Sequence, residues 1–238
     1  MKYPKMQTLW MRDTKNKYVI MPGEFSRREF GNIKRWSCTE KIDGTNCRVL
    51  FEIDSTDEKR LTFAGKSEMD ALRVPLREHL ERTFTEDLLT KVLGPEKWGE
   101  EQTCTKVILF GEGYGGNIQK FGSDYSKEIS FILFDAWIDG WWLNRESVIK
   151  LGEELEIETV PFIGDLTLGE IVSMIMSKPM SEVGFGHVLE GIVAQPDRLV
   201  LFRNGVPLKF KLKVVDYEKL AKFCPTPKDE IKGVANED

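Results

Sequence analysis

Between residues 46 and 64 the chain turns from apolar to polar and back. Residues 46–53 read as a strand, 54–59 as a polar turn and 60–64 as a second strand, which predicts a hairpin. The period then changes: behind Pro75, which a first helical turn tolerates, Leu76, Leu80, Phe84, Leu88 and Val92 recur every fourth position. The stretch 70–93 is therefore the longest expected helix, interrupted near Thr85. Short apolar runs at 107–110, 129–134 and 188–194, bounded by glycine or polar residues, predict buried strands. Asp139-Gly140, between apolar residues 131–138 and Trp141-Trp142-Leu143, is the dipeptide of a tight hairpin. Helices are expected at 145–155, 168–177 and 216–223. Hairpin-linked strands with helices between them predict an α+β fold of antiparallel sheets. No repeat or Pro/Gly/Ser linker interrupts the chain, so one continuous unit is expected.

Composition narrows what such a fold can do. In 238 residues, 34 Lys+Arg stand against 39 Asp+Glu, and the net charge of -5 excludes a basic tail protein. A hydrophobic fraction of 41% supports a packed core and argues against global disorder. Cys38, Cys47, Cys104 and Cys224 form no Cys-x-x-Cys pair, which fits a reducing cytoplasm better than a zinc ribbon or a disulfide framework. The opening Met1-Lys2-Tyr3-Pro4-Lys5 leads into no apolar signal region, and no apolar run approaches membrane-spanning length. A soluble cytoplasmic monomer without membrane attachment is the expectation. Only His79 and His187 occur, which removes most histidine metal sites and a Ser-His-Asp triad. Carboxylates, lysines and backbone are left to carry any chemistry.

Four stretches combine those groups. Glu40-Lys41-Ile42-Asp43-Gly44-Thr45-Asn46 sets an amine beside a carboxylate and a glycine that lets a phosphate approach; its plain alternative is an Asp-Gly turn with a solvated lysine. Phe110-Gly111-Glu112-Gly113-Tyr114-Gly115-Gly116 satisfies the dinucleotide fingerprint, but residues 117–128 lack the apolar period of a crossover helix, so a Gly-rich turn is the better reading. Glu190, within the apolar run 188–194, needs a cation: a metal, or a neighbouring Lys or Arg. Leu208-Lys209-Phe210-Lys211-Leu212-Lys213-Val214 puts three ammonium groups on one face of a strand, solvated or cradling phosphates.

In that order, with Phe134-Asp135 between the second and third, the stretches resemble the collinear motifs of the covalent nucleotidyltransferases. The chain looks like an ATP-dependent RNA ligase of the RNA-ligase-2-like branch, over residues 40–213, and Tyr3-Pro4-Lys5 with Gln7-Thr8-Leu9 looks like the opening of small bacterial and phage members. The resemblance implies a nucleotidyltransferase (ATP-grasp-like) domain over 1–215, a short helical tail over 216–238 and no room for an OB domain.

It also implies roles. Lys41 attacks the α-phosphorus of ATP and holds AMP as a phosphoramidate, with Asp43 beside it; a lysine attacks as the neutral amine, which nearby cations and partial burial favour. Glu40 and Ile42 flank Lys41 at the nucleotide, Glu40 at the adenine amino edge, and Asn46 lies near phosphate and ribose. Lys66 stands where relatives commonly carry an Arg on the phosphate, and lacks its bidentate fork. Glu112 meets the ribose hydroxyls, Phe134 stacks on adenine unless it is plain core, and Lys211 and Lys213 form the final lysine pair unless the register slips to Lys209. Glu190, with Glu112, helps hold Mg²⁺ or Mn²⁺. The implied partner is RNA with 5′-phosphate and 3′-hydroxyl ends, with DNA or an RNA–DNA hybrid, GTP in place of ATP, or a non-catalytic nucleic-acid-binding module as alternatives. Arg27-Arg28, Lys34-Arg35 and Arg203 are candidates for a basic groove.

Overall fold

A computed structural model of the chain describes residues 1–67, 71–94, 105–120, 122–184 and 186–224. Its elements, in chain order, are β1 (Gln7–Thr8), β2 (Trp10–Asp13), β3 (Val19–Phe25), a 3-10 turn (Arg28–Asn32), β4 (Trp36–Lys41), β5 (Thr45–Ile53), β6 (Lys59–Ala64), α1 (Val74–Thr83) and α2 (Glu86–Leu93). Then follow β7 (Thr105–Tyr114), α3 (Gly122–Tyr125), β8 (Ser130–Ile138), β9 (Trp141–Trp142), α4 (Arg145–Glu154), β10 (Glu158–Thr159), β11 (Phe162–Leu166), α5 (Leu168–Met176), β12 (Gly191–Gln195), β13 (Phe210–Lys213) and α6 (Val214–Phe223). The fold is α+β with antiparallel sheets, as expected. The contacts group into two compact units: the first is Met1–Pro4 with Ile42–Val160, the second Lys5–Lys41 with the described residues from Pro161 onward. The stretch 1–215, expected as one continuous unit, thus contributes to both.

The first unit is built on a sheet of order β10-β8-β7-β5-β6, with β9 beside β8, in which only the β10 pairing is parallel. Alternation along β5 and β7 sends Cys47, Val49, Phe51, Val107 and Leu109 to one face, where they pack against Leu76, Leu80, Leu89, Leu93, Val148 and Leu151 of the helices. The opposite face carries Asn46, Arg48 and Leu50, paired in register with Glu112, Phe110 and Ile108. The helix expected at 70–93 divides where foreseen: Phe84 is extended and Thr85 caps α2 by accepting from the Leu88 amide. Asp70, its expected start, lies outside the described residues.

Gly111-Glu112-Gly113 is not the turn that its composition suggested. It lies inside β7, because a Cβ at Gly111 would fall 2.2 Å from the Phe131 ring and one at Gly113 2.6 Å from Leu76. Side-chain-free positions let the core close there, while Glu112 faces the other way. The next strand, β8, runs antiparallel to β7, which rules out the parallel βαβ unit of a dinucleotide fold.

The second unit has a sheet of order β1-β13-β12-β4-β11 and a β2-β3 ribbon. Trp36, Cys38, Ile171, Ile175, Ile192, Phe210 and Leu212 form its core. The strand expected at 188–194 begins only at Gly191, so Glu190 stands just ahead of β12 rather than within it. The expected 216–223 helix starts earlier, straight after Lys213. It is fastened by Asp216, which receives Arg12 at 2.8 Å, and by Tyr217, whose hydroxyl accepts from the Trp10 indole at 2.9 Å. Residues 225–238 of the expected tail lie outside the described residues, as does Cys104; Cys38, Cys47 and Cys224 are free thiols.

Candidate active site

In the second unit the candidate chemistry converges through the register of three strands. β12 pairs with β4, setting Gly191 opposite Lys41 and Ile192 opposite Glu40, and with β13, setting Gly191 opposite Lys213 and Val193 opposite Lys211. Glu190, the next residue back along the chain, thereby reaches both amines. Its Oε2 accepts from Lys41 Nζ at 2.5 Å and its Oε1 from Lys213 Nζ. All three side chains are largely but not wholly buried, at 21%, 15% and 28% exposure for Lys41, Glu190 and Lys213, so a ligand can reach them. Of the two readings for Glu190, a lysine pairing is what the structure contains. Leu208, Phe210 and Leu212 alternate into the core, which leaves Lys209, Lys211 and Lys213 on the other face; Lys209 is buried, and Lys211 and Lys213 are half-buried.

Glu40 is 2% exposed. Its carboxylate accepts from Ser181 Oγ at 2.5 Å and from the Glu182 amide at 2.8 Å, while its own amide donates to the Pro161 carbonyl at 3.0 Å. Nothing in the sequence points to Ser181, which lies 141 positions away. The groove candidates Arg27, Arg28, Lys34, Arg35 and Arg203 are exposed on this unit; Arg27 sits over the Phe202 ring at 5.8 Å, and Arg35 donates to the Asp165 carbonyl.

The first unit holds the other candidates. Ile42 is buried, and the Asp43 amide donates to the Tyr125 hydroxyl at 3.2 Å. Gly44 approaches β7 so closely that a Cβ there would lie 2.3 Å from the Gly113 carbonyl oxygen. Beside this closure Asn46 and Glu112 are register partners on the same face. Asn46 Oδ1 is buried without a hydrogen-bond partner among the described residues, an acceptor that a ribose hydroxyl would satisfy. Phe134 belongs to a small aromatic cluster with Tyr3, Phe110 and Trp142, apart from the main core, and meets the Tyr3 ring edge-on at 5.2 Å. Tyr3 donates to Asp135 at 2.6 Å; burial, then the Asp135 charge, push its hydroxyl well above the ordinary tyrosine range and keep it a donor. Lys66 is exposed just beyond β6. Among the described residues no three His, Cys, Asp or Glu side chains converge on a metal-sized space.

The sequence matches a family model described as RNA ligase over residues 34–215. A search of curated proteins finds no match. Among solved structures, a Naegleria gruberi RNA ligase mutant with AMP and Mn superposes with a TM-score of 0.62 at 16% identity, covering 93% of this chain and 58% of that one. The same organism's RNA ligase with PPi gives 0.57 at 19% identity, covering 93% and 62%. An archaeal ATP-dependent RNA ligase gives 0.53 at 15%, covering 88% and 48%. The chain spans less than two thirds of the length of these proteins, and at such identities the likeness is one of fold.

Proposed function

The chain belongs to the RNA ligase family, and we propose that it is an ATP-dependent RNA ligase working through a lysyl-AMP intermediate. The observation that carries this reading is the convergence of Lys41 and Lys213 on Glu190 through one strand register. A nucleophilic amine is held beside a second cation that can take a phosphate, and Glu190 keeps both in place until substrate arrives. Lys41 Nζ, released from Glu190 and having shed a proton, attacks the α-phosphorus of ATP; the P–N bond forms as the bond to the pyrophosphate oxygen breaks. A 5′-phosphate oxygen of RNA then attacks the same phosphorus and frees Lys41. A 3′-hydroxyl finally attacks the activated 5′-phosphate, forming the phosphodiester and expelling AMP.

Within this reading Lys211 and Lys213 neutralise charge on the triphosphate, with Lys66 a further phosphate contact and Asp43 beside the nucleophile. Asn46 and Glu112 meet the ribose, Ile42 lines the nucleotide and Phe134 stacks on adenine. Glu40 meets the adenine amino group with acceptor capacity beyond the one bond that each of its oxygens takes from Ser181 and Glu182. Mg²⁺ or Mn²⁺ would offset phosphate charge, with Glu190 and Glu112 as carboxylate ligands and phosphates and water supplying further oxygens. The ordered motifs and the Tyr3-Pro4-Lys5 opening support the RNA-ligase-2-like branch of small bacterial and phage enzymes and one domain over 1–215; the scattered cysteines support a reducing cytoplasm, and a monomer is the proposed state. No helix among the described residues is long and apolar enough to cross a membrane.

The test incubates wild type and Lys41→Ala with α- or γ-labelled ATP and Mg²⁺, followed by a denaturing gel. Label retained from the α position only, and on wild type only, is expected. Its absence even with Mn²⁺ or GTP overturns the reading in favour of a binding module. Sealing assays with nicked RNA, DNA and hybrid duplexes then set the sugar preference, RNA being expected.

A further inference from the structure

We propose that the first unit carries a phosphate-binding pocket built on Arg48, Arg60 and Arg77, residues given no role above, and that it takes the phosphate of a nucleotide. The β5–β6 register sets Arg48, Leu50 and Glu52 opposite Ala64, Thr62 and Arg60, and α1 adds Arg77; together with Leu72 they line a cavity of about 440 Å³. Arg48 is wholly buried. Its Nε donates to the Gly65 carbonyl at 2.8 Å and its Nη1 to the Met1 carbonyl at 2.6 Å, but Nη2 is buried without a partner among the described residues. Among the described residues no carboxylate pairs with it. A guanidinium buried without a counter-ion is costly, and an anion held in the adjoining cavity lowers that cost through its charge.

The surrounding charges leave room for one. Among the described residues Glu52 is the one carboxylate lining the cavity, and it is engaged by Lys106. Among the described residues Arg77 pairs only with Glu81 one helical turn away, an exposed pair of the kind that water already weakens. Arg60 is exposed at the rim. Arg60 and Arg77 can each present a fork to the oxygens of a phosphate in the cavity, while the buried Arg48 adds its charge from behind them. Thr62 offers a hydroxyl, and Leu50 and Leu72 give an apolar wall against which a sugar or base can lie. The phosphate can come from an RNA strand or a free nucleotide. The strand is the source favoured here, and that part rests on the proposed function.

The test is equilibrium dialysis at fixed ionic strength with inorganic phosphate, adenosine 3′-monophosphate, and an RNA hexamer with and without a 5′-phosphate. It compares wild type, Arg60→Gln/Arg77→Gln and Lys41→Ala/Lys213→Ala, each first shown to be folded by circular dichroism. Phosphate binding should weaken on the order of tenfold or more in the arginine variant, as loss of charge-assisted hydrogen bonds implies, and survive in the lysine variant. Undiminished binding in the arginine variant, or none by wild type at millimolar phosphate, overturns the pocket. Hexamer binding that depends on Arg60 and Arg77 supports the strand; binding of the mononucleotide alone overturns that source. No step uses ATP, so a pocket that binds phosphate in a chain that forms no lysyl-AMP would count against the ligase reading alone.

Discussion

Gly191 shows how little room the lysine cluster leaves. A Cβ at this position would lie 2.2 Å from the Leu212 carbonyl oxygen and 2.8 Å from the Lys213 Cα, both backbone of the paired strand, so β13 would have to move. Gly191→Ala should therefore destabilise the protein by about 1–3 kcal/mol, the usual penalty of overpacking, read from urea unfolding. It should also lower self-adenylylation, because Lys213 is displaced from Glu190. An unchanged urea midpoint would show that β13 shifts without penalty and would remove the steric argument. At this scale the sequence was legible where a residue's chemistry is peculiar to its type: Lys41, Glu190 and Lys213 stand out as ordered charges. The grip of Ser181 on Glu40 was not legible, since a serine hydroxyl advertises no partner and the bond spans 141 positions.

Elements were legible where period and capping agree. The break near Thr85 is an example, because four-residue spacing continues across it while a capping residue interrupts the helical backbone. Thr85 Oγ1 accepts from the Leu88 amide at 3.2 Å, and the helix it starts buries Leu89, Val92 and Leu93. Thr85→Ala should cost about 1 kcal/mol and lower Tm by about 2–4 °C for a chain of this size, measured by calorimetry. A Tm held within a degree would mean that packing of Leu89 and Leu93, not the cap, fixes the start of α2. Elements whose signals conflict were missed. β3 carries Pro22 and Gly23, which read as a turn, yet it pairs with β2 at the margin of its unit, where a missing amide is tolerated. Gly111 and Gly113 read as a turn in the sequence because their reason, the nearby Phe131 and Leu76, comes from other elements.

For the whole molecule, the α+β class followed from the succession of hairpins and helices, whereas the two compact units did not. The chain passes between them three times, and one of these boundaries falls between Lys41 and Ile42, inside a motif rather than in a linker, so no shift in composition marks it. Both units nevertheless share one dependence on pH. In the first, burial pushes the Cys47 thiol far up and the Tyr114 hydroxyl up to about 12. In the second, burial raises Cys38 and Tyr217 to about 12 each. These groups stay neutral in the fold but ionise near their ordinary values, about 8.5 for cysteine and 10 for tyrosine, once it opens. From about pH 9 towards 12 the unfolded chain therefore holds fewer protons than the folded one, and stability falls as pH rises. On the acid side His79, lowered chiefly by burial, takes up a proton more readily when unfolded, so stability also falls as pH drops below about 6.5. Tm against pH should hence show a plateau between about 7 and 9 with a steeper alkaline limb, since these four groups and Tyr3 act there, against one histidine below about 6.5 and the depressed carboxyls of Asp54 and Glu170 only at lower pH. A Tm that stays level from pH 8 to 11 would mean that these thiols and hydroxyls are not sealed from water in solution.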